Sequence, residues 1–355
     1  MTGQNELRQR IARMIAAQGP ISIAQFMTVA LHDPQGGYYA TRDPLGADFI
    51  TAPEITQAFG ELIGLWCAQV WHDQGQPKPA RVVELGPGRG TLMADALRAA
   101  RLMPEFLANI EVVLVEASPV LAAAQKETLK DCGVPLRWVG SVADIASDRP
   151  QLTIANEFFD ALPARQFVRS EKGWSERMVI VDPTGNLAFA LAPAVWSFAV
   201  PPERGEAACG DVYEFSAAAA SIVEDLARGI ARAGGAALLI DYGYAGTGFG
   251  ETLQAVGGHE FRDVLASPGE NDLSAHVDFG ALARAARSAG AATFGPIAQG
   301  EFLLSLGIRA REEILKKPGR PTGIDRLADP DQMGTLFKAL AILPHSAPPP
   351  PGFSR

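Results

Sequence analysis

The chain has 355 residues, 47% of them hydrophobic and 20% charged, which is ample for one large core or two smaller ones and excludes a natively disordered protein. Its formal net charge of -9 argues against a broad basic surface for nucleic acid. Cys67, Cys132 and Cys209 lie far apart without metal-ligand spacing and fit buried thiols in a reducing compartment, and no apolar run reaches the roughly 18 residues of a membrane helix.

In chain order, Leu7, Ile11, Met14 and Ile15 recur at helical spacing and predict an amphipathic helix over about 4–17. Arg8, Arg10 and Arg13 would also suit a targeting helix, but Glu6, the absence of serine and the lack of a cleavage signal favour an ordinary first helix. A second helix is expected after Ser22 and a third over about 54–72. Between them "GGYYATRDPLGADFITAPEITQAFGE" mixes glycines, aromatics and polar residues, as a lid does, though a plain surface connection has the same composition. Residues 1–80 thus read as an N-terminal helical or lid region, closed by "QGQPKPA".

From Arg81 short apolar runs alternate with helical segments: "RVVEL", a helix over 91–101, "IEVVLVE", a helix over 119–130, "VPLRWVG" and "QLTIANE". That rhythm predicts an α/β fold with a mostly parallel central sheet, its core spanning 81–343. Residues 164–192 interrupt it with three strand-like runs separated by "EKG" and "DPTGN", an inserted antiparallel meander. A helix over 213–232, the run "GGAALLIDYG", the helix "HVDFGALARAARSAG" and a mostly helical remainder follow. The proline-rich end, 344–355, reads as an extended or disordered tail.

The stretch "VVELGPGRGTL" carries the first functional signal. Gly86, Gly88 and Gly90 follow a buried strand, where glycine lets backbone approach a ligand closely. The spacing G-x-G-x-G misses the dinucleotide pattern by one position, and no Lys-Ser/Thr follows for a triphosphate. Glu116 ends the next strand, where a carboxylate can accept both hydroxyls of a ribose; Ser118 and Pro119 then form a helix start. Glu84 would repel phosphates but suits the ammonium and sulfonium charges of S-adenosyl-L-methionine. A surface turn with an unrelated acid is the plainer alternative.

Beyond the fourth strand, "LTIANEFFDALP" places Asn156, Glu157 and Asp160 at a strand end that opens onto a cofactor crevice. Paired carboxylates hold a guanidinium fork and help remove its proton, whereas methylation of an amide or adenine nitrogen would call for prolines and a tyrosine that are absent. Capping by Asn156 and Asp160, with Phe158 and Phe159 in the core, is the other reading. Asp241 and Tyr242 in "LIDYGY" suit the lining of the same crevice, and His276 and Asp278 suit a helix cap, a catalytic base being the alternative reading.

These segments together, "GGYY", "DFITAPEITQAFGE", "VVELGPGRGTL", "VEASP", "NEFFDALPARQF", "DYGY", "LSAHVDF" and "FLLSLGI", resemble the MidA-like methyltransferases, in order from about residue 20 to 343. The resemblance implies a class I, Rossmann-like methyltransferase using S-adenosyl-L-methionine. It places Gly86, Gly88 and Gly90 in the cofactor loop, Glu116 at the ribose and Asn156, Glu157 and Asp160 on the acceptor side. The family includes a mitochondrial assembly factor that methylates an arginine in a core hydrophilic subunit of respiratory complex I, which implies such a subunit as protein substrate; the charge and the lack of a long apolar run add the expectation of no nucleic acid and no membrane insertion, and the lack of a convincing transit peptide that of a bacterial, cytoplasmic member. Ala47 stands where the family pattern has glycine. A methyltransferase of small molecules or other side chains, a non-catalytic assembly factor and a nicotinamide oxidoreductase are the competing readings.

Overall fold

The structure, a computed structural model, describes residues 3–41, 50–198, 200–246, 248–316 and 322–353; Ala47 and the centre of the expected lid lie outside them. It divides into two compact units, Met1–Phe49 with Asp160–Ala220 and Ala245–Asp278, and Ile50–Phe159 with Ser221–Tyr244 and Phe279–Arg355. The third predicted helix, grouped by sequence with the N-terminal region, therefore lies in the second unit.

The second unit is built on a sheet of β1 (Ala80–Leu85), β2 (Ile110–Val115), β3 (Leu136–Val139), β4 (Gln151–Asn156), β5 (Gly235–Tyr244), β6 (Ala292–Ala298) and β7 (Phe337–Leu343), in the order β6-β7-β5-β4-β1-β2-β3. β1 to β5 run parallel to their sheet neighbours among themselves, whereas β7 is antiparallel to both β5 and β6. Every residue of β1 and β4 is buried, as expected of parallel strands covered on both faces. The strand order reverses between β4 and β1, so a crevice opens beyond their C-terminal ends.

Helices α1 (Gln57–Asp73), α2 (Thr91–Ala100) and α3 (Pro119–Thr128) accompany this sheet. The helix expected over 54–72 is broken at Thr56, whose extended backbone separates Ala52–Ile55 from α1 and whose hydroxyl accepts from the Ala58 N–H. α3 starts as the sequence indicates, with Ser118 as cap and Pro119 in the first turn. α1 lies unusually close to α2: a β-carbon on Gly64 would sit 2.4 Å from the Ala96 carbonyl oxygen.

Two expectations for the C-terminal part are corrected. The remainder is not mostly helical, because β6 and β7 form antiparallel strands; Gly295 and Pro296 in β6 read as a turn, and the short apolar run of β7 is compatible with helix or strand. Nor is the proline-rich end an extended or disordered tail over its described part. Phe353 is buried against Phe302 at 5.2 Å between ring centroids, and the Trp66 indole N–H donates to the Pro351 carbonyl at 3.0 Å.

In the first unit, helices Gly3–Gln18 and Ile23–His32 accompany an antiparallel sheet ordered Ile21–Ser22, Gly173–Val181, Arg165–Ser170 and Val212–Phe215, with Leu187–Trp196 also paired to Gly173–Val181. The expected meander is present there, and Val212–Phe215 takes what was read as the start of a helix, which begins at Ala217. The segment between β5 and Asp278 contains a further small sheet of Gln254–Gly257, Glu260–Arg262 and Asp272–Ser274. The cysteines are not uniformly buried: Cys67 is, Cys132 is half-buried and Cys209 is exposed.

Because the α1 and α2 backbones already touch at Gly64, Gly64→Ala should force the helices apart and cost about 2 kcal/mol or more, read as a lower denaturant midpoint with unchanged slope.

Candidate functional site

The turn after β1 is left-handed at three glycines, with φ of 62° at Gly86, 55° at Gly88 and 83° at Gly90. The Gly86 N–H donates to the Val115 carbonyl at 3.1 Å, which ties the turn to the end of β2. A β-carbon on Gly86 would lie 3.0 Å from Cδ2 of Phe158, so glycine admits the Phe158 ring beside the turn. Gly90 opens α2, and the hydroxyl of the next residue, Thr91, donates to Oε1 of Glu54 at 2.6 Å.

Glu84 lies one residue from the end of β1, opposite Leu114 on β2 and Ile154 on β4. It is 3% exposed, and its Oε2 atom has no hydrogen-bond partner. Burial, with the nearby Glu116 carboxylate adding to it, pushes the Glu84 carboxyl up to about 8. Asn156, the last residue of β4, leaves its Oδ1 buried and unpartnered while its Nδ2 donates to Glu157 Oε1 at 3.0 Å. Two neighbouring strands thus present orphaned acceptors at the opening of the crevice. Buried acceptors of this kind are costly without a donor, and a ligand ammonium group would supply one.

Glu116 follows β2 as expected. Its Oε1 accepts from the Ser118 N–H at 2.7 Å and its Oε2 from Gln125 Nε2 at 3.0 Å. Burial raises its pKa, opposed by the hydrogen bonds from Ser118, Gln125 and the Ala117 backbone.

The turn after β4 is unusual in placing a non-glycine residue, Glu157, at φ 52°. Its N–H donates to the Ile240 carbonyl at 2.9 Å, and its Oε1 accepts from the Ala52 N–H at 2.9 Å. The next two N–H groups, of Phe158 and Phe159, donate to Asp241 Oδ2 at 3.1 and 2.9 Å. Asp241 is fully buried, so the expectation that it lines the crevice is corrected: it clamps the turn that carries Glu157. Asp160 is the first residue of the other unit, where it is buried and its carbonyl accepts from the Ala275 N–H at 3.0 Å. In that unit the Tyr39 hydroxyl donates to Asp272 at 2.6 Å; burial and then the charges of Asp272 and Asp160 hold the phenol well above its usual range. The Asp278 carboxylate pairs with the buried Arg204, and burial lowers the pKa of His276, whose N–H donates to the Thr252 hydroxyl.

The sequence reading missed Gln125. On α3 it is fully buried; its signal was a polar residue in the buried stripe of Leu121 and Leu129, which is easily taken for a tolerated interior amide. Glu54 and Phe158 likewise gain their contacts only from tertiary structure.

The family model of S-adenosyl-L-methionine-dependent methyltransferases matches residues 62–297, more than half of the chain. The chain belongs to that methyltransferase family. It is 38% identical over 370 residues to mouse protein arginine methyltransferase NDUFAF7, mitochondrial, covering 93% of this chain and 83% of the relative. The human protein of that name is 38% identical over 365 residues, with 93% and 82% covered. A crystal structure from Burkholderia thailandensis bound to S-adenosyl-homocysteine is 28% identical, with a TM-score of 0.84 over 98% of this chain and 94% of that one. The α/β methyltransferase fold and the use of S-adenosyl-L-methionine follow, and the orphaned Glu84 and Asn156 oxygens fit a cofactor with a cationic amino end.

The methyltransferase should show this in its pH dependence. Glu84 keeps its proton in the folded protein up to about 8, whereas in the unfolded chain it ionises near 4.5. Between those values the folded state binds the extra proton, so stability falls as pH rises, by about 1.4 kcal/mol per unit for this group. Glu84→Gln should remove that slope and raise ligand-free stability at pH 8, while weakening S-adenosyl-L-methionine at least about tenfold; unfolding across pH 5–9 and calorimetric titration check both. Gly88→Val, at φ 55°, should abolish cofactor binding in the same titration.

Proposed function

We propose that this methyltransferase modifies a protein arginine, in a core hydrophilic subunit of respiratory complex I, and so supports assembly of that complex. The observation that carries the reading is Glu157, held left-handed at the end of β4 beside the unpartnered Asn156 oxygen by Asp241 and the Ile240 carbonyl. Identity of 38% to mouse and human proteins named arginine methyltransferases supports the acceptor, and the MidA-like motifs support the choice of subunit.

In this reading Glu84 and Asn156 hold the amino end of the cofactor, Gly86, Gly88 and Gly90 admit it closely, and Glu116 accepts its ribose hydroxyls. The cofactor supplies an electrophilic methyl group bound to a sulfonium. Glu157 grips the planar guanidinium, directs one nitrogen toward the methyl group and localises positive charge on the others. The proton released as that nitrogen is methylated passes to the Glu157 carboxylate.

Purified protein incubated with S-adenosyl-L-methionine and the complex I subunit from the same source should yield methylarginine in mass spectra of the digest. Glu157→Gln keeps an oxygen for the Ala52 and Asn156 N–H groups but loses the charge. It should lower the methylation rate about 10²–10⁴-fold with S-adenosyl-homocysteine affinity retained. Unchanged methylation in this variant, or no methylarginine from the wild type, contradicts the proposal.

A further inference from the structure

We propose that Gln125 is a positioning residue for the cofactor, setting the Glu116 carboxylate and the glycine turn as one unit, with Trp138 fixing the orientation of its amide. This rests on the reading of Glu116 as the ribose-binding acid.

The hydrogen bonds of Gln125 are specified at every atom. Its Nε2 donates to the Gly88 carbonyl at 2.8 Å and to Glu116 Oε2 at 3.0 Å, while its Oε1 accepts from the Trp138 indole N–H at 2.9 Å. An indole N–H can only donate, so the amide oxygen must face Trp138 and the NH₂ group must face the other two. Gly88 offers a carbonyl and Glu116 a carboxylate, both acceptors, so the alternative amide orientation would lose all three bonds. Lys126 places its ammonium over the Trp138 ring, 5.5 Å from the centroid.

The backbone geometry ties this residue to the turn as well. A β-carbon on Gly90 would lie 3.5 Å from the Gln125 Cα, ordinary van der Waals contact, so the turn packs against α3 at this residue. Gly88, whose carbonyl Gln125 holds, is itself left-handed at φ 55°. One fully buried side chain therefore fixes the middle of the glycine turn and one oxygen of the acid after β2. The second oxygen, Oε1, is fixed by Ser118 at the cap of α3, the same helix that carries Gln125. The carboxylate is thereby held in one rotamer before any ligand arrives, and a preset acceptor discriminates more sharply for a hydroxyl pair than one that must be ordered on binding.

The test compares S-adenosyl-homocysteine with its 2′-deoxyribose analogue, each titrated into full-length wild type and Gln125→Met. The variant should weaken S-adenosyl-homocysteine about ten- to a hundredfold but the deoxy analogue much less, so that the ratio of the two dissociation constants falls at least about threefold. An equal loss for both ligands would mean a general packing role, and no loss would mean no role; either overturns the proposal. Glu116→Gln separates the underlying reading: if it leaves the ratio intact, the ribose assignment of Glu116 is wrong, whereas a lowered ratio there with an unchanged one in Gln125→Met refutes Gln125 alone. Should Gln125→Met fail to fold, Trp138→Phe keeps an aromatic ring but removes the orienting N–H together with part of the indole, and it must lower the ratio in the same direction; an unchanged ratio there counts against the proposal.

Discussion

The carboxylate of Asp241 holds together the strand ends at the crevice of the second unit. Sitting at the end of β5 with no access to solvent, it receives the N–H groups of Phe158 and Phe159, which belong to the turn beyond β4. A short turn with a glutamate in the left-handed region would not persist on its own propensity; two charge-assisted bonds from consecutive N–H groups over-determine it. Once the turn is set, Phe158 lies over Gly86 at the end of β1 and Glu157 reaches the N–H of Ala52. Three parallel strand ends are thus locked by one buried acid, at the place where the strand order reverses.

Around that anchor the electrostatics favour function over stability. Glu84 sits between Val83 and Leu85 in a fully buried strand, near Glu116 and beside the buried Cys67 thiol, whose own pKa is pushed up to about 12 by burial and by Glu84. An aliphatic residue at that position would pack the strand without an orphaned oxygen. The arrangement makes sense for a site whose missing hydrogen-bond donors arrive with a cationic ligand.

How much of this was legible in the sequence depended on whether the signal was local. Gly86, Gly88 and Gly90 after a buried run, and Glu116 before a Ser-Pro helix start, are written in consecutive residues, and the structure places them around one turn. Asp241 was visible as a polar residue in a strand, but its clamp depends on β5 lying beside β4, which brings Phe158 to a partner 83 residues away in the chain. Gln125 was hidden because a helix stripe tolerates an interior amide, and only the tertiary approach of Gly88 and Trp138 reveals its partners. The C-terminal strands β6 and β7 were lost for a related reason: their pairing is antiparallel and non-local, and a glycine-proline pair within β6 outweighed its strand-forming neighbours.

The end of the chain behaves as part of the fold rather than an appendage. Phe353 fills space beside Phe302, Gly352 approaches that ring so closely that a β-carbon would lie 2.6 Å from it, and Pro351 satisfies the indole of Trp66 on α1. Proline composition here stiffens a plug instead of loosening a tail. A bulky affinity tag or fluorescent fusion joined directly after these residues would compete with that plug, so anyone preparing the protein should attach such handles at the other terminus or through a generous spacer.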